Sequence, residues 1–477
     1  MSALERLWDE CRGACNQERV WHRGRALGLS AAVCLGRRTV TGLVGTSGSQ
    51  FRDWSATYRL FSQDRVAVEE VFGVVRSGIE AQLYDGAPLV TAMDDTVVRK
   101  SGAKIYGVRY RRDPLSPPFH ANLVRGQRFV QISAALPARG VSGAARMIPI
   151  DFAHAPTPAR PRKGADAHQW TLYEQARRAA NVSRVGVARL QELRASMDRR
   201  PAQARRTLWT VVDGRFTNAT VLKGLPERTV LIGRIRKDTK LYYLPQAERH
   251  DGPGRTRKYG QRAPTPEQLR QDPSVPWQTV TVRVGGKRRR FRIKTIAPLR
   301  WRAAGAAHDL RLIVIAPLCY RARGKRLYRK PAYLICTDPT VPLKAILQAY
   351  IWRWDIEVNI RDEKQLLGVG EAQVRNPRSV QNLPALLVAS YALLLLAATQ
   401  AFPNGAIPGA LPPPRWRRNA PRHRLSTADI IAQLRAELWG KALGLDNFSG
   451  FTSAHPPNTT PQIFQPDLTS AILYAAS

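Results

Sequence analysis

Negative charge is what this sequence has least of. Asp and Glu together number 36 against 75 Lys and Arg, a formal charge of +39. A field of that sign and size points to a polyanionic partner, nucleic acid first and an anionic membrane surface second. Cysteine is scarce as well: Cys11, Cys15, Cys34, Cys319 and Cys336 are an odd set without paired CxxC spacing. That argues against a disulfide framework or a zinc knuckle and for a reducing cytoplasm. The 8 histidines are scattered and suggest no metal cluster. Long apolar runs are missing apart from Leu383 to Thr399, which Pro384, Ser390 and Tyr391 interrupt and which is short for a bilayer span. A buried core helix is expected there, and no membrane association. The opening residues, MSALERLWDE, contain no apolar signal core.

What is present reads as an ordered series of elements. At 477 residues the chain has room for two or three domains and a sizeable core. The first 85 or so residues are helical in pattern, with Arg, aromatics and Ser/Thr interleaved from Trp21 through Arg37-Arg38 to Phe51, Trp54 and Tyr58. Cations that neutralise a phosphate backbone, beside hydroxyls that set register, are what a helical DNA-contacting region needs. The character changes at Ala87-Pro-Leu-Val-Thr-Ala-Met-Asp94-Asp95-Thr96, an apolar strand ending in two carboxylates. Strand patterns follow at 127–135 and 146–152, then a Pro-rich basic loop at 153–168 and helical patterns from 166 to 199. A second apolar strand, Thr207-Leu-Trp-Thr-Val-Val-Asp213, again ends in a carboxylate, with Thr217 or Asn218 as a candidate cap for the next helix. A further strand spans 229–236.

Residues 237–339 form a basic, β-patterned insertion. It contains a Gly-rich loop from Gly252 to Arg262, a hairpin pattern over 279–293 with a Gly285-Gly286 turn, and strands at 310–316 and 332–336. Trp277 and Trp301 are candidates for stacking on an unpaired base, although a Trp in a β region is more often core. After the insertion comes Tyr350-Ile-Trp-Arg353-Trp-Asp-Ile-Glu357 through Lys364. At about 100° per residue, Tyr350, Arg353, Glu357 and Lys364 share a sector of about 60° on one helix face. Ala349, Ile356, Ile360 and Leu367 form the neighbouring apolar stripe, and Asp355 and Asp362 point elsewhere. Thr340 is the candidate N-cap, Pro342 falls in the first turn and Gly368 closes the helix. Beyond a covering helix at 383–402 lie a basic linker over 403–424 and a short amphipathic helix from Ser426 or Thr427 to Trp439.

The spacing Tyr, two residues, Arg, three residues, Glu, six residues, Lys resembles the YREK signature of bacterial insertion-sequence transposases of the DDE class. The resemblance implies an RNase H-like α/β catalytic core, a mixed sheet flanked by helices, with a β-rich insertion that helps hold a DNA end and an N-terminal helical domain. The corresponding organisation is a helical DNA-binding region at 1–85, the first part of the core at 86–236 and the insertion at 237–339. The acidic-ligand and covering helices then occupy 340–402, and a basic linker with a C-terminal region occupies 403–477. Two adjacent acids on a strand face opposite ways, so only one of Asp94 and Asp95 can serve the site. In the family the catalytic acid precedes a Thr, which selects Asp95.

Asp95, Asp213 and Glu357 are then the catalytic metal ligands, holding two Mg²⁺ ions for which Mn²⁺ can substitute. Two metals can stabilise both the attacking and the leaving oxygen of an in-line displacement at phosphorus. Tyr350, Arg353 and Lys364 are implied to grip the transposon end. The implied activity is cut-and-paste transposition at terminal inverted repeats of double-stranded DNA, by a homodimer in the synaptic complex, in the bacterial cytoplasm at the nucleoid. Two other readings stay open: an RNase H-like nuclease without strand transfer, and a silent, transposase-derived DNA-binding protein.

Overall fold

The computed structural model describes the chain except residues 1, 114–118, 120–121, 139–142, 246–256, 285–286, 323, 404–423, 441–471 and 474–477. The N-terminal region is helical, with α1 (Ser2–Glu10), α2 (Glu18–Val33), α3 (Val40–Thr46), α4 (Ser55–Ser62) and α5 (Val68–Glu80). Its apolar residues recur at helical spacing, Val68, Val71, Phe72, Val75 and Ile79 on α5 for example, and are buried. Trp21 is core, its indole N–H donating to the Trp8 carbonyl at 2.7 Å. Phe51 and Trp54 stay exposed.

The segment expected to form the first part of the core follows as β1 (Leu89–Arg99), β2 (Arg109–Arg112), β3 (Leu123–Pro137), β4 (Ala145–His154), α6 (Ala167–Ala179), α7 (Val182–Asp198), α8 (Pro201–Ala204), β5 (Leu208–Val212), α9 (Ala219–Gly224) and β6 (Thr229–Arg234). Asp166, Asn181 and Asn218 cap α6, α7 and α9 through their side chains. β1 is longer than expected. It does not end at its two acids but runs on to Arg99, paired antiparallel with β3 throughout. Only the parallel pairing with β5 stops there, the last matched residues being Met93 and Val212.

The insertion carries β7 (Tyr242–Tyr243), α10 (Pro266–Gln271), β8 (Gln278–Val284), β9 (Lys287–Arg300), β10 (Leu310–Ile315), β11 (Cys319–Ala322), β12 (Lys325–Tyr328) and β13 (Ala332–Cys336). Residues 252–256 of the loop expected at Gly252 to Arg262 lie outside the described residues, as does the Gly285-Gly286 turn. The insertion strands do not form a sheet of their own. Among the described residues, one sheet runs β2-β3-β1-β5-β6-β13-β10-β9-β7, with β4 also on β3 and β8 on β9, and β11-β12 alone stand apart as a hairpin. β13 zips antiparallel onto β6, so the insertion widens the core sheet. Trp277 packs partly buried against the core, with Lys294 and Arg292 over its ring.

The acidic segment is two helices, α11 (Leu343–Trp352) and α12 (Trp354–Gln365), meeting at Arg353, which keeps helical dihedrals. Pro342 occupies the cap position of α11. Thr340 does not cap, because it is bound to the Asp338 carboxylate. Gly368 turns the chain beyond α12 at φ +61°. α13 (Pro377–Ala401) is long and apolar enough to cross a membrane, but 83% of its 18-residue apolar stretch is buried inside the fold, against the N-terminal helices and β4. α14 (Thr427–Trp439) starts with a Ser426–Asp429 capping box. The linker expected at 403–424 lies almost wholly outside the described residues.

Strand alternation sorts the core onto two faces. Val90, Ala92 and Val211 pack with Ile346, Ala349 and Ile356 under α11 and α12. Leu89, Met93, Val212 and Phe216 pack on the opposite face, where α7 comes so close that a Cβ on Gly186 would lie 2.8 Å from the Met93 sulfur and 3.1 Å from the Phe216 ring. Gly186→Val therefore forces α7 off β1 and is expected to cost about 1–3 kcal/mol. Chemical denaturation with an unchanged midpoint would show that the contact is slack.

Candidate active site at the ends of the parallel strands

The register that ends with Met93 opposite Val212 sets Asp94 level with Asp213, on the face that Ala92 and Val211 share with α12. Asp213 is held in an Asx turn, its Oδ1 accepting from the backbone N–H of Arg215 at 2.9 Å and of Phe216 at 3.3 Å. Asp94 is strongly perturbed. Burial, then the nearby Asp213 carboxylate, push its pKa up to about 7, against the opposing help of the Asp95 backbone N–H and Arg353. Two carboxylates crowded so that one resists ionisation are a set whose repulsion a divalent cation would relieve.

Asp95 is turned the other way. In register it sits beside Val130 rather than Gln131. Its carboxylate is nearly inaccessible, 3.0 Å from Arg128 Nε and 3.2 Å from Arg215 Nε. Burial raises its pKa, and Arg128 and then Arg215 offset part of the rise. The expectation that Asp95 faces the acidic helix is thus corrected: the strand's alternation gives that position to Asp94, and Asp95 is engaged by guanidinium groups.

On the helical side, Arg353 Nη2 donates to Glu357 Oε1 at 2.8 Å, and the Tyr350 ring centroid lies 6.0 Å from the Arg353 guanidinium. Glu357 is half-exposed and Arg353 largely buried. Lys364, farther along, is within electrostatic reach of Glu363, Arg99, Asp113 and Asp95. Asp355 is paired with Arg424, and Asp362 is buried, accepting from Thr427 Oγ1 at 2.7 Å; both point away from the site face, as the periodicity indicated. The structure thus brings Asp94 beside Asp213, and Tyr350 and Arg353 beside Glu357. Among the described residues, no three Asp, Glu, His or Cys side chains converge to hold one ion. Glu357 is in the grip of Arg353 instead.

Sequence reasoning missed Glu363. It is fully buried, and its Oε1 accepts from Gln131 Nε2 at 2.9 Å; Gln131 is the cross-strand partner of Asp94. Asn359 adds a bond to the Met147 carbonyl at 3.0 Å. These two contacts pin α12 to β3 and β4 and so set where Glu357 stands. The only signal in the sequence was an acid on the helix's inner side, which looks like an ordinary charge.

A mixed sheet with carboxylates at the ends of its central parallel strands, and an acid-bearing helix packed across the same face, defines an RNase H-like nuclease fold. The DDE superfamily endonuclease family matches residues 16–296, more than half of the chain. The chain belongs to that family, whose enzymes cut DNA and generally use divalent metals. No curated protein matches it. The matched region includes Asp94, Asp95 and Asp213 and stops short of the helix that carries Glu357.

Burial pushes the Glu363 pKa from 4.5 up to about 8. The folded protein then keeps a proton that the unfolded chain sheds, so stability falls as pH rises from about 4.5 to 8 and levels off above. Glu363→Gln, which keeps the shape without the ionisation, is expected to flatten that slope. Melting temperatures measured at several pH values across the window check it, and parallel curves for the two proteins would exclude titration of Glu363.

Proposed function

We propose that the protein is a DNA transposase that excises and reinserts a DNA element by metal-dependent hydrolysis and strand transfer at terminal inverted repeats. The observation that carries the reading is the side-by-side placement of Asp94 and Asp213 under the helix that presents Arg353 and Glu357. In this reading the metal ligands are Asp94, Asp213 and Glu357, with Asp94 in the role first expected of Asp95.

These residues would hold two Mg²⁺ ions, or Mn²⁺ in their place. Bound there, such ions supply a more acidic nucleophile and offset charge on the departing 3′ oxygen. The chain's own residues do the rest. Asp213 is preset by its turn, and the perturbed Asp94 carboxylate favours a state in which a cation shares its charge. A DNA phosphate reaching Arg353 competes with Glu357 for the guanidinium, which frees Glu357 to turn toward the other acids. Tyr350 lies against the same guanidinium, and Lys364 extends the cationic edge along the helix.

Two copies, each holding one element end, would form the synaptic complex, at the nucleoid of a bacterial cytoplasm. The net charge of +39 supports a DNA partner. So do the exposed run Lys287 to Arg290 on the widened sheet and the exposed β12 strand Lys325–Tyr328 of the separate hairpin.

The test is cleavage and joining of DNA carrying the inverted repeats that flank the coding region. Asp94→Asn and Glu357→Gln should each lose at least about 100-fold in cleavage, with end binding nearly intact. Asp95→Asn should leave the Mg²⁺ midpoint of cleavage unchanged, whatever it does to DNA binding. Wild-type cleavage by Asp94→Asn would return the ligand role to Asp95. Nicking without joining would mark a nuclease that does not transpose, and no Mg²⁺-dependent cleavage at all would mark a silent DNA-binding protein.

A further inference from the structure

Opposite the acid pair, on the other face of β1, lies a cluster that the proposed chemistry does not use. We infer that Arg111, Arg128 and Arg215, gathered around Asp95, form a binding site for a backbone phosphate of the DNA, and that Asp95 is the residue that positions their guanidinium groups. The inference rests on the DNA-processing reading given above and adds a second anchoring point to it.

The geometry is specific. Asp95 Oδ2 faces Arg128 Nε at 3.0 Å and Oδ1 faces Arg215 Nε at 3.2 Å, so one carboxylate spans two guanidinium groups. Arg111, on neighbouring β2, is close enough that Arg128 and Arg215 both disfavour its charge and Asp95 favours it. Three cations therefore share one buried carboxylate. A purely structural ion pair needs one partner, and each extra guanidinium adds repulsion and a desolvation cost that nothing else nearby repays.

Hydrogen-bond capacity is also left over. Arg111 Nε and Arg128 Nε are buried without a hydrogen-bond acceptor, Arg128 Nε lying near Asp95 but poorly aligned with it. Arg111 otherwise donates to Thr157. A phosphate accepts several such bonds at once in the forked geometry that arginine presents, and its negative charge would offset part of the cluster's excess positive charge.

Position assigns the ligand. Arg215 is two residues beyond Asp213 and its backbone N–H is held by the Asp213 carboxylate. Lys364 of α12 is also within electrostatic reach of Asp95. An anion bound here therefore sits beside the acid pair, where a DNA strand reaching those acids passes. The half-exposed Arg215 side chain gives it a solvent-facing entry.

The experiment measures binding of a short duplex with a recessed 3′ end to the full chain, without divalent ions, as a function of KCl. Each lost phosphate contact lowers the slope of log affinity against log salt by about 0.9. Because all three arginines serve one phosphate, Arg215→Gln and the pair Arg111→Gln/Arg128→Gln should each lower it by about 0.9. The matched pair Arg205→Gln/Arg228→Gln, at the other ends of the parallel strands, should not. Circular dichroism checks folding; if the buried pair fails to fold, Arg215→Gln against Arg228→Gln decides. Slope changes no larger than those of the controls would overturn the inference. Because the assay is metal-free, the two readings fail separately. A protein that shows the slope difference but never cleaves keeps this site and loses the transposase, and a cleaving protein with unaltered slopes does the reverse.

Discussion

The structure is organised around one unfavourable interaction, the crowding of Asp94 and Asp213 where β1 and β5 stop running in parallel. Burial of Asp94 and, second to it, repulsion from the Asp213 carboxylate push its pKa up to about 7. A fold keeps such strain only if its surroundings over-determine the geometry. Here the surroundings are the parallel register that ends at Met93 and Val212, the Asx turn around Asp213 and the close contact of Gly186 with Met93 that seats β1 on α7.

The rest of the site can be understood as charge management around that pair. Cations approach from two sides: Arg353 from α12, and Arg128 and Arg215 across β1. Each is already engaged by an acid that stands outside the crowded pair, Glu357 in the first case and Asp95 in the second. These are ion pairs that polyanionic DNA can exchange, since phosphate offers a guanidinium the same forked acceptor geometry as a carboxylate. The helix that carries Arg353 and Glu357 is held by neutral, buried hydrogen bonds, Gln131 to Glu363 and Asn359 to Met147. Those bonds do not compete with DNA, so the scaffold can stay put while the charged groups change partners.

Much of this was legible in the sequence where local pattern decides. The apolar runs of β1 and β5, the β8–β9 hairpin, the cap of α9 and the start of α14 follow from alternation and capping chemistry. What was not legible depends on pairing across the chain. Leu89, Val90, Ala92 and Met93 are all apolar, so nothing in β1 shows which parity lies under the acidic helix, and the choice between Asp94 and Asp95 could not be made from the strand alone. The junction at Arg353 leaves no mark because its dihedrals stay helical. The insertion reads as β in pattern, but only the zipping of β13 onto β6 shows that it widens the core sheet. Glu363 was invisible for the same reason: its partner, Gln131, belongs to another strand.

The pair Asp94-Asp95 then has a physical rationale. A strand has a period of two, so adjacent residues serve opposite faces at no cost in chain length. One face of β1 delivers a carboxylate to the acid pair. The other delivers a carboxylate that gathers guanidinium groups within a strand's thickness of the same point. A site that must hold cations for chemistry and also draw in a polyanion needs both signs close together, and the alternation of Asp94 and Asp95 puts them on opposite sides of one strand. A single acid at this point could serve only one of these demands. The neighbouring arginines would then either neutralise the metal ligand or lack the partner that now holds them in place.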